Sequence, residues 1–344
     1  MAIIDADAHV VENEHTWEFV DESEREYLPK VVVLKHGGGI QRATEWWMIE
    51  GRVFPKNANI GADTTEATRE ASDVAARIAH MDELGVDTHV LYPTIFLRPL
   101  TRRPEAELAL CRSYNRWITE IWKLGKGRLR WAAMLPLMDM DKSLEELNWA
   151  KEHGACGVFM RNAEGDRRLS DQYFFPMYEE ASRLDMPICF HSSQGTFSMW
   201  DLLSRDSGFS QFKLSIVGTF HDLLMKGVPE KFPDLRWAFV ETSAQWVPYA
   251  LNDMELRFKK QGREWLGADI LRENNMYVAC QTTDDLGYVL EHAGQDSIIL
   301  GTDYGHNDTS SELLALQRLR QDGKVSAAEV DKILDDNPKR LYAL

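Results

Sequence analysis

Short apolar or β-branched runs recur along the chain, each closing on a polar residue or a turn and followed by a longer amphipathic stretch. The runs cover 2–5, 86–93, 129–136, 156–161, 187–192, 235–241, 276–281 and 297–303. Near-continuous apolarity over so few residues suits parallel strands buried on both faces. Between them, helical spacing of apolar positions predicts helices over 66–84, 104–124, 143–152, 176–184, 209–226, 246–261 and 285–292, with two more over 310–321 and 326–334. Several of these end at a glycine, the expected stop.

Strand–helix alternation repeated eight times predicts a parallel sheet with helical crossovers, closed as an α/β fold of the single (β/α)8 TIM-barrel type that occupies 1–344. An open doubly wound sheet would carry a glycine-rich phosphate loop after its first strand, and the first run leads into DADAHVVENE instead. Two segments do not fit the repeat. One is an insertion after the first strand, about 13–65, containing KHGGG and TEWWMIEGRVFP and read as a small β-hairpin lid. The other is 162–175, after the fourth strand.

A TIM barrel carries its chemistry at the C-terminal ends of its strands, and polar side chains collect there. Asp5, Asp7 and His9 follow the first run, and Tyr92, Arg161, His191, Glu241, Gln281 and Asp303 close later ones. Residues two apart in an extended segment share a face, so Asp7 and His9 reach toward one point, and His191 and Asp303 can complete a divalent metal site there. Mixed His and carboxylate ligation suits Zn²⁺, Mn²⁺ or Fe²⁺. His306, three residues past Asp303, either supports that site or contacts substrate. Of the remaining histidines, His221 falls on a helical pattern, and His15, His36, His80, His89, His153 and His292 are read as unrelated to chemistry.

Composition narrows the class further. A net charge of −16 over 344 residues disfavours nucleic acid and anionic membrane as partners. Cys111, Cys156, Cys189 and Cys280 are too scattered for a disulfide framework or a CxxC metal site. No stretch reaches the roughly 18 apolar residues of a membrane helix, and the opening MAIIDADAHV lacks a signal-peptide pattern. The expected location is the cytoplasm.

DADAHVVE, VDTHVLYPT, FHSS, FPDLRWAFVETSAQWVPYALNDME, ILGTDYGHND and the closing NPKRLYAL together resemble the amidohydrolase-related family that includes aminocarboxymuconate semialdehyde decarboxylase and the dihydroxybenzoate decarboxylases. The resemblance implies a TIM barrel with one divalent metal at its mouth. It puts Asp7 and His9 at the family's HxH or ExH position, His191 at its strand-five His and Asp303 at its strand-eight Asp. It also marks a departure. Decarboxylases of this family carry a proton-handling His after strand six, where this chain has Glu241. Glu241 is expected to act as a general acid or base or to bind metal, and with Asp5 and Glu12 it offers carboxylates for a possible second ion.

The leading expectation is a metal-dependent hydrolase or non-oxidative decarboxylase of a small carboxylate-bearing, aromatic or apolar substrate. In it Glu241, Asp303, His306 and Arg161 are the catalytic set. Arg161 either pairs bidentately with the substrate carboxylate or forms a salt bridge on the barrel rim, and Trp46, Trp47, Phe54, Trp200 and Trp246 offer an apolar wall. The alternatives are a dinuclear Mn or Fe oxygenase and a non-catalytic subunit paired with an active paralogue. The resemblance also implies a homodimer.

Overall fold

The apolar runs form strands. The computed structural model of the protein describes residues 2–34, 44–56, 59–203 and 208–344; the KHGGG segment and His36 lie outside them. In chain order the strands are β1 (Ile4–Val10), β2 (Lys30–Leu34), β3 (Thr44–Ile49), β4 (Arg52–Pro55), β5 (Thr88–Pro93), β6 (Leu129–Ala133), β7 (Ala155–Met160), β8 (Ile188–His191), β9 (Trp237–Val240), β10 (Met276–Cys280) and β11 (Ile298–Leu300). Eight of them form one parallel sheet in the order β1-β5-β6-β7-β8-β9-β10-β11, with helices between, in a nearly closed (β/α)8 barrel.

The seam between β1 and β11 decides where the site sits. It is joined by a single bridge between Ala8 and Tyr304, by His9 N–H donating to the Tyr304 carbonyl at 2.8 Å and by Asp303 N–H donating to the Asp7 carbonyl at 2.8 Å. Asp5 adds a side-chain clasp: its carboxylate accepts from Thr302 N–H at 2.9 Å and from the Thr302 hydroxyl. Gly301 makes the approach possible. A Cβ placed there would lie 2.2 Å from Asp7 Cβ and 2.6 Å from Asp7 N.

Several sequence boundaries move. β1 runs on to Val10 rather than stopping at residue 5, because Asp5, Asp7 and His9 are themselves strand residues, all buried. The expected helix over 66–84 is two, Glu66–Arg69 and Val74–Glu83, broken at Ala71 with φ +51° and restarted by the Asp73 cap. The helix expected over 209–226 begins as a wide π turn, Phe209–Lys213, and is α-helical over Leu214–Met225. The last helix does not stop near Pro338: Asn337–Tyr342 is helical, because proline in a first turn gives up no hydrogen bond. The insertion after β1 is a three-stranded antiparallel sheet, β2-β3-β4, rather than a hairpin. Its tight turn places Glu50 and Gly51 at φ +48° and +77°, the two positive values a type I′ turn requires. Arg52 ties this sheet to Asp201 in the short helix Phe197–Leu203 that follows β8. The four cysteines are buried and unpaired. Among the described residues no helix is long and apolar enough to cross a membrane.

Candidate metal centre

β1 delivers Asp7 and His9 from inside the barrel, β8 ends on His191, Glu241 follows β9 directly, and Asp303 stands three residues beyond β11. Glu241 and Asp303 hold φ at +62° and +53°. Left-handed backbone at non-glycine residues is strained and gathers at functional sites.

The two imidazoles meet edge-on, with ring planes at 90° and Nε2 atoms 3.1 Å apart. Asp7 Oδ1 lies 3.2 Å from His191 Nε2 and 3.5 Å from His9 Nε2, and Asp303 Oδ1 lies 3.3 Å from His9 Nε2. Backbone carbonyls set the tautomers. His9 Nδ1 faces the Pro93 carbonyl at 3.0 Å and His191 Nδ1 the Ser192 carbonyl at 3.2 Å. A carbonyl oxygen only accepts, so both Nδ1 atoms carry the proton and both Nε2 lone pairs point into the gap. Two lone pairs and two carboxylates converging in a buried pocket form a donor set that a cation would satisfy. A second sphere that orients imidazoles through Nδ1–H is how proteins prepare His for metal. Donor atoms of Asp7, His9, His191 and Glu241 lie within 4.8 Å of one another, as do those of His9, Glu241, Asp303 and His306. The donor set fits a divalent ion of the Mn²⁺, Fe²⁺ or Zn²⁺ class.

The electrostatics agree with that geometry. Burial pushes the Asp7 carboxyl up, but positive charge on His191 and His9 outweighs it and holds the group well below the usual carboxylate range; a cation between the two imidazoles supplies the same pull when both are neutral. Burial, with His306 adding to it, pushes His9 down to about 4, so its lone pair is available at neutral pH. Glu241 moves the other way. Burial, then Asp303 and Asp308, push its carboxyl well above the ordinary value. Its Oε2 is buried and 3.3 Å from His191 Nδ1, yet accepts no hydrogen bond, that proton being turned to Ser192. Asp303 is steadied from outside: His306 Nδ1 lies 2.8 Å from Oδ1, and Ser311 donates its hydroxyl to Oδ2 at 2.6 Å. His306 Nε2 in turn reaches the Thr94 hydroxyl at 3.0 Å.

The other expected residues lie apart from this cluster. Both Asp5 oxygens are engaged by the seam, and both Glu12 oxygens accept backbone N–H groups, from Thr94 at 3.0 Å and Ile95 at 2.9 Å. A second ion held by Asp5 and Glu12 would have to displace those bonds. Arg161 takes the rim salt-bridge alternative. It is buried against Glu164 and donates to the Phe96 carbonyl at 3.1 Å, in a small separate cavity of about 270 Å³. His221 faces Asp253 at 2.9 Å. Tyr92 meets the Tyr342 hydroxyl at 2.8 Å inside the barrel.

A cavity of about 860 Å³ opens onto the cluster through Glu241 and His306. Trp246 belongs to its wall, as expected; Trp47 and Phe54 are buried in the core instead. Phe209, Phe212 and Tyr249 complete the apolar wall. Sequence reasoning passed over these three, along with Arg98 and Ser311. Their only sequence signal is position in the segments that follow β5, β8, β9 and β11.

The family profile described as Amidohydrolase matches residues 4–344. A 2-amino-3-carboxymuconate-6-semialdehyde decarboxylase of Dictyostelium discoideum is 21% identical over 278 residues, 75% of this chain and 70% of that one. Among solved structures, an amidohydrolase from Mycobacterium avium subsp. paratuberculosis K-10 superposes with a TM-score of 0.81 at 22% identity, covering 99% of each chain. A 5-carboxyvanillate decarboxylase from Novosphingobium aromaticivorans, solved with bound manganese, gives 0.65 at 20% identity over 83% of this chain and 86% of that one.

Proposed function

The chain belongs to the amidohydrolase family, and from that premise we propose that it is a metal-dependent, non-oxidative decarboxylase of a small aromatic or otherwise unsaturated carboxylic acid. The observation that carries the reading is the pair of Nε2 lone pairs, 3.1 Å apart among buried carboxylates, beside a protonatable Glu241 that accepts no hydrogen bond through Oε2. The decarboxylases among the relatives support it.

Asp7, His9, His191 and Asp303 hold the ion. When bound, such an ion supplies Lewis acidity toward a substrate oxygen and lowers the pKa of a coordinated water. Glu241, kept neutral by burial and by the neighbouring acids, gives its proton to the ring carbon. The C–C bond to the carboxylate breaks, CO₂ leaves, and the electron pair it leaves behind takes that proton. A positioned acid with a raised pKa suits this role. Trp246, Phe209 and Phe212 pack over the ring and keep water from competing for the pair.

Hydrolysis is the second reading; it requires Glu241 ionised, so that it accepts a proton from an attacking water, whereas decarboxylation uses its neutral form. Metal analysis of the purified chain, combined with headspace CO₂ from a panel of aromatic acids, tests the proposal. Expected are one divalent ion per chain and stoichiometric CO₂ at the expense of the acid. Amide or ester cleavage without CO₂ would favour hydrolysis, and O₂ consumption with two redox-active ions an oxygenase. Cytoplasmic residence and a homodimer belong to the same proposal. The exposed Leu202 and Tyr249 support a self-contact that light scattering would reveal.

A further inference from the structure

The small cavity around Arg161 shares no lining residue with the cavity at the metal cluster. Its walls come from the segments after β5, β6, β7 and β8 and from the helix Pro104–Leu124. Two polar groups meet inside it. Arg161, buried, donates from Nη1 to the Phe96 carbonyl at 3.1 Å and from Nε and Nη2 to Glu164. Glu107, also buried, accepts Met138 N–H through Oε2 at 2.7 Å. Glu107 Oε1 and Arg161 Nη2 lie 3.9 Å apart, beyond hydrogen-bond reach. Nη2 carries two protons. Among the described residues the second has no acceptor, and no hydrogen bond reaches Glu107 Oε1.

A donor and an acceptor left unmade among buried groups are costly. One oxygen satisfies both, since two hydrogen bonds of about 2.8 Å meeting at roughly 90° span such a gap. That oxygen accepts from Arg161 and donates to Glu107, which a hydroxyl does and an ether or a carboxylate does not. Charge narrows the occupant further. Glu164 already neutralises Arg161, and the exposed Arg102 and Asp166 that also line the cavity carry opposite signs. An anion would meet Glu107 and Glu164, and a cation would meet Arg161, so the occupant is neutral. Phe96, Leu100, Leu110, Met138 and Phe197 offer it apolar contact. The volume of about 270 Å³ is several times the roughly 30 Å³ share of one water.

We propose that this cavity is a second binding site, separate from the metal centre, for a small neutral molecule that carries a hydroxyl on an apolar ring. The hydroxyl bridges Arg161 Nη2 and Glu107 Oε1, and the ring lies against Phe96 and Phe197. Its occupant rests on the back of the substrate cavity. Leu97 and Arg98, which follow Phe96, line that cavity. Gln194 N–H donates to the Leu97 carbonyl at 2.9 Å, joining the segment that ends on Phe197 to the one that starts at Phe96. Ser192, in the same segment, lines the substrate cavity and holds its carbonyl 3.2 Å from His191 Nδ1.

Calorimetric titration of the manganese-loaded full chain with phenol and with anisole tests this, in buffer above pH 7, where Glu107 is ionised. Anisole has the ring and the accepting oxygen but no proton to give. Phenol is expected to bind about tenfold tighter, the yield of one hydrogen bond to a charged acceptor. In Glu107→Gln the amide oxygen keeps the Met138 N–H and the NH₂ turns into the cavity. Both probes then meet only donors, and the ratio should fall to near unity. A crystal soaked with 4-bromophenol locates the ring without a variant: bromine anomalous signal is expected beside Phe96 and Phe197. If Glu107→Gln does not fold, as judged by circular dichroism, the bromine position decides. Equal affinity for the two probes, a preference that survives Glu107→Gln, no binding of phenol, or no bromine signal in this cavity each overturns the proposal. None of these readouts involves turnover, so they stand or fall apart from the decarboxylase reading.

Discussion

His9 and His191 turn their Nε2 atoms toward each other across 3.1 Å, each ring pinned by an Nδ1–H donated to a backbone carbonyl. With no proton between them the lone pairs repel, and a cation placed there would relieve that repulsion. His191→Ala is therefore expected to lose bound metal and turnover together, read by elemental analysis and CO₂ release. Manganese should raise the melting temperature of the wild type, as ligand linkage requires, and leave that of the variant unmoved.

Glu241→Gln separates proton delivery from ligation. The amide keeps the shape and cannot give up a carboxyl proton. Metal content should stay at the wild-type level while kcat drops by about 10²- to 10⁴-fold, the usual worth of a general acid. Metal lost in parallel with activity would make Glu241 a ligand instead.

Ser311 donates to Asp303 Oδ2 at 2.6 Å and so orients a ligand it does not replace. Ser311→Ala is expected to weaken metal affinity by about 10- to 100-fold, the range typical of such supporting groups, at little cost in folding. Competition with a chelator of known affinity measures it.

Gly301→Ala tests the seam. Its Cβ would lie 2.2 Å from Asp7 Cβ, a contact that only backbone movement relieves. A loss of at least about 2 kcal/mol in urea unfolding is expected, with metal binding impaired because Asp7 is what moves. Gly218→Ala is the control: it is exposed on the Leu214–Met225 helix with nothing within 4 Å of the added carbon. It should be neutral or stabilise by about 0.5–1 kcal/mol.

Glu107 sits away from the metal. Burial pushes its carboxyl up to about 7, with Arg161 and the Met138 N–H only partly opposing that. A carboxyl raised on folding binds its proton more tightly in the native state. Its contribution is full below the unfolded value near 4.5 and disappears as pH rises through 7. Stability of the wild type should thus fall, relative to Glu107→Gln, by up to about 3 kcal/mol between pH 4.5 and 7.5. Urea midpoints of the two proteins across that window give the comparison. A difference that stays flat, or grows in the opposite sense, rejects the assignment.

The barrel was legible because each apolar run is short, local and bounded by turn chemistry, and because two-faced burial leaves that pattern in the residues themselves. Asp7, His9, His191, Glu241 and Asp303 were legible for the related reason that a polar side chain closing or lining an apolar run has few structural uses. The boundaries failed where the same polar residues were mistaken for strand ends, as in β1. The lid over 13–65 was legible as an insertion, while its third strand was not, since β2 pairs with β3 only in space.

Arg161 and Arg98 mark the limit most clearly. Both are arginines that follow a barrel strand, and nothing in their immediate sequence ranks one above the other as a partner for substrate. Glu164, folding back over three residues, neutralises the first, whereas the second meets Glu12 only at longer range and leaves its Nε without a hydrogen bond. Periodicity and residue type settle what is near in sequence: strands, helices, and which positions face inward. Pairing, protonation and the meeting of the imidazoles depend on atoms brought together from distant parts of the chain: Asp5 with Thr302 across the β1–β11 seam, His9 with Pro93 and His191. Those energies exist only once the barrel has closed and the solvent is gone.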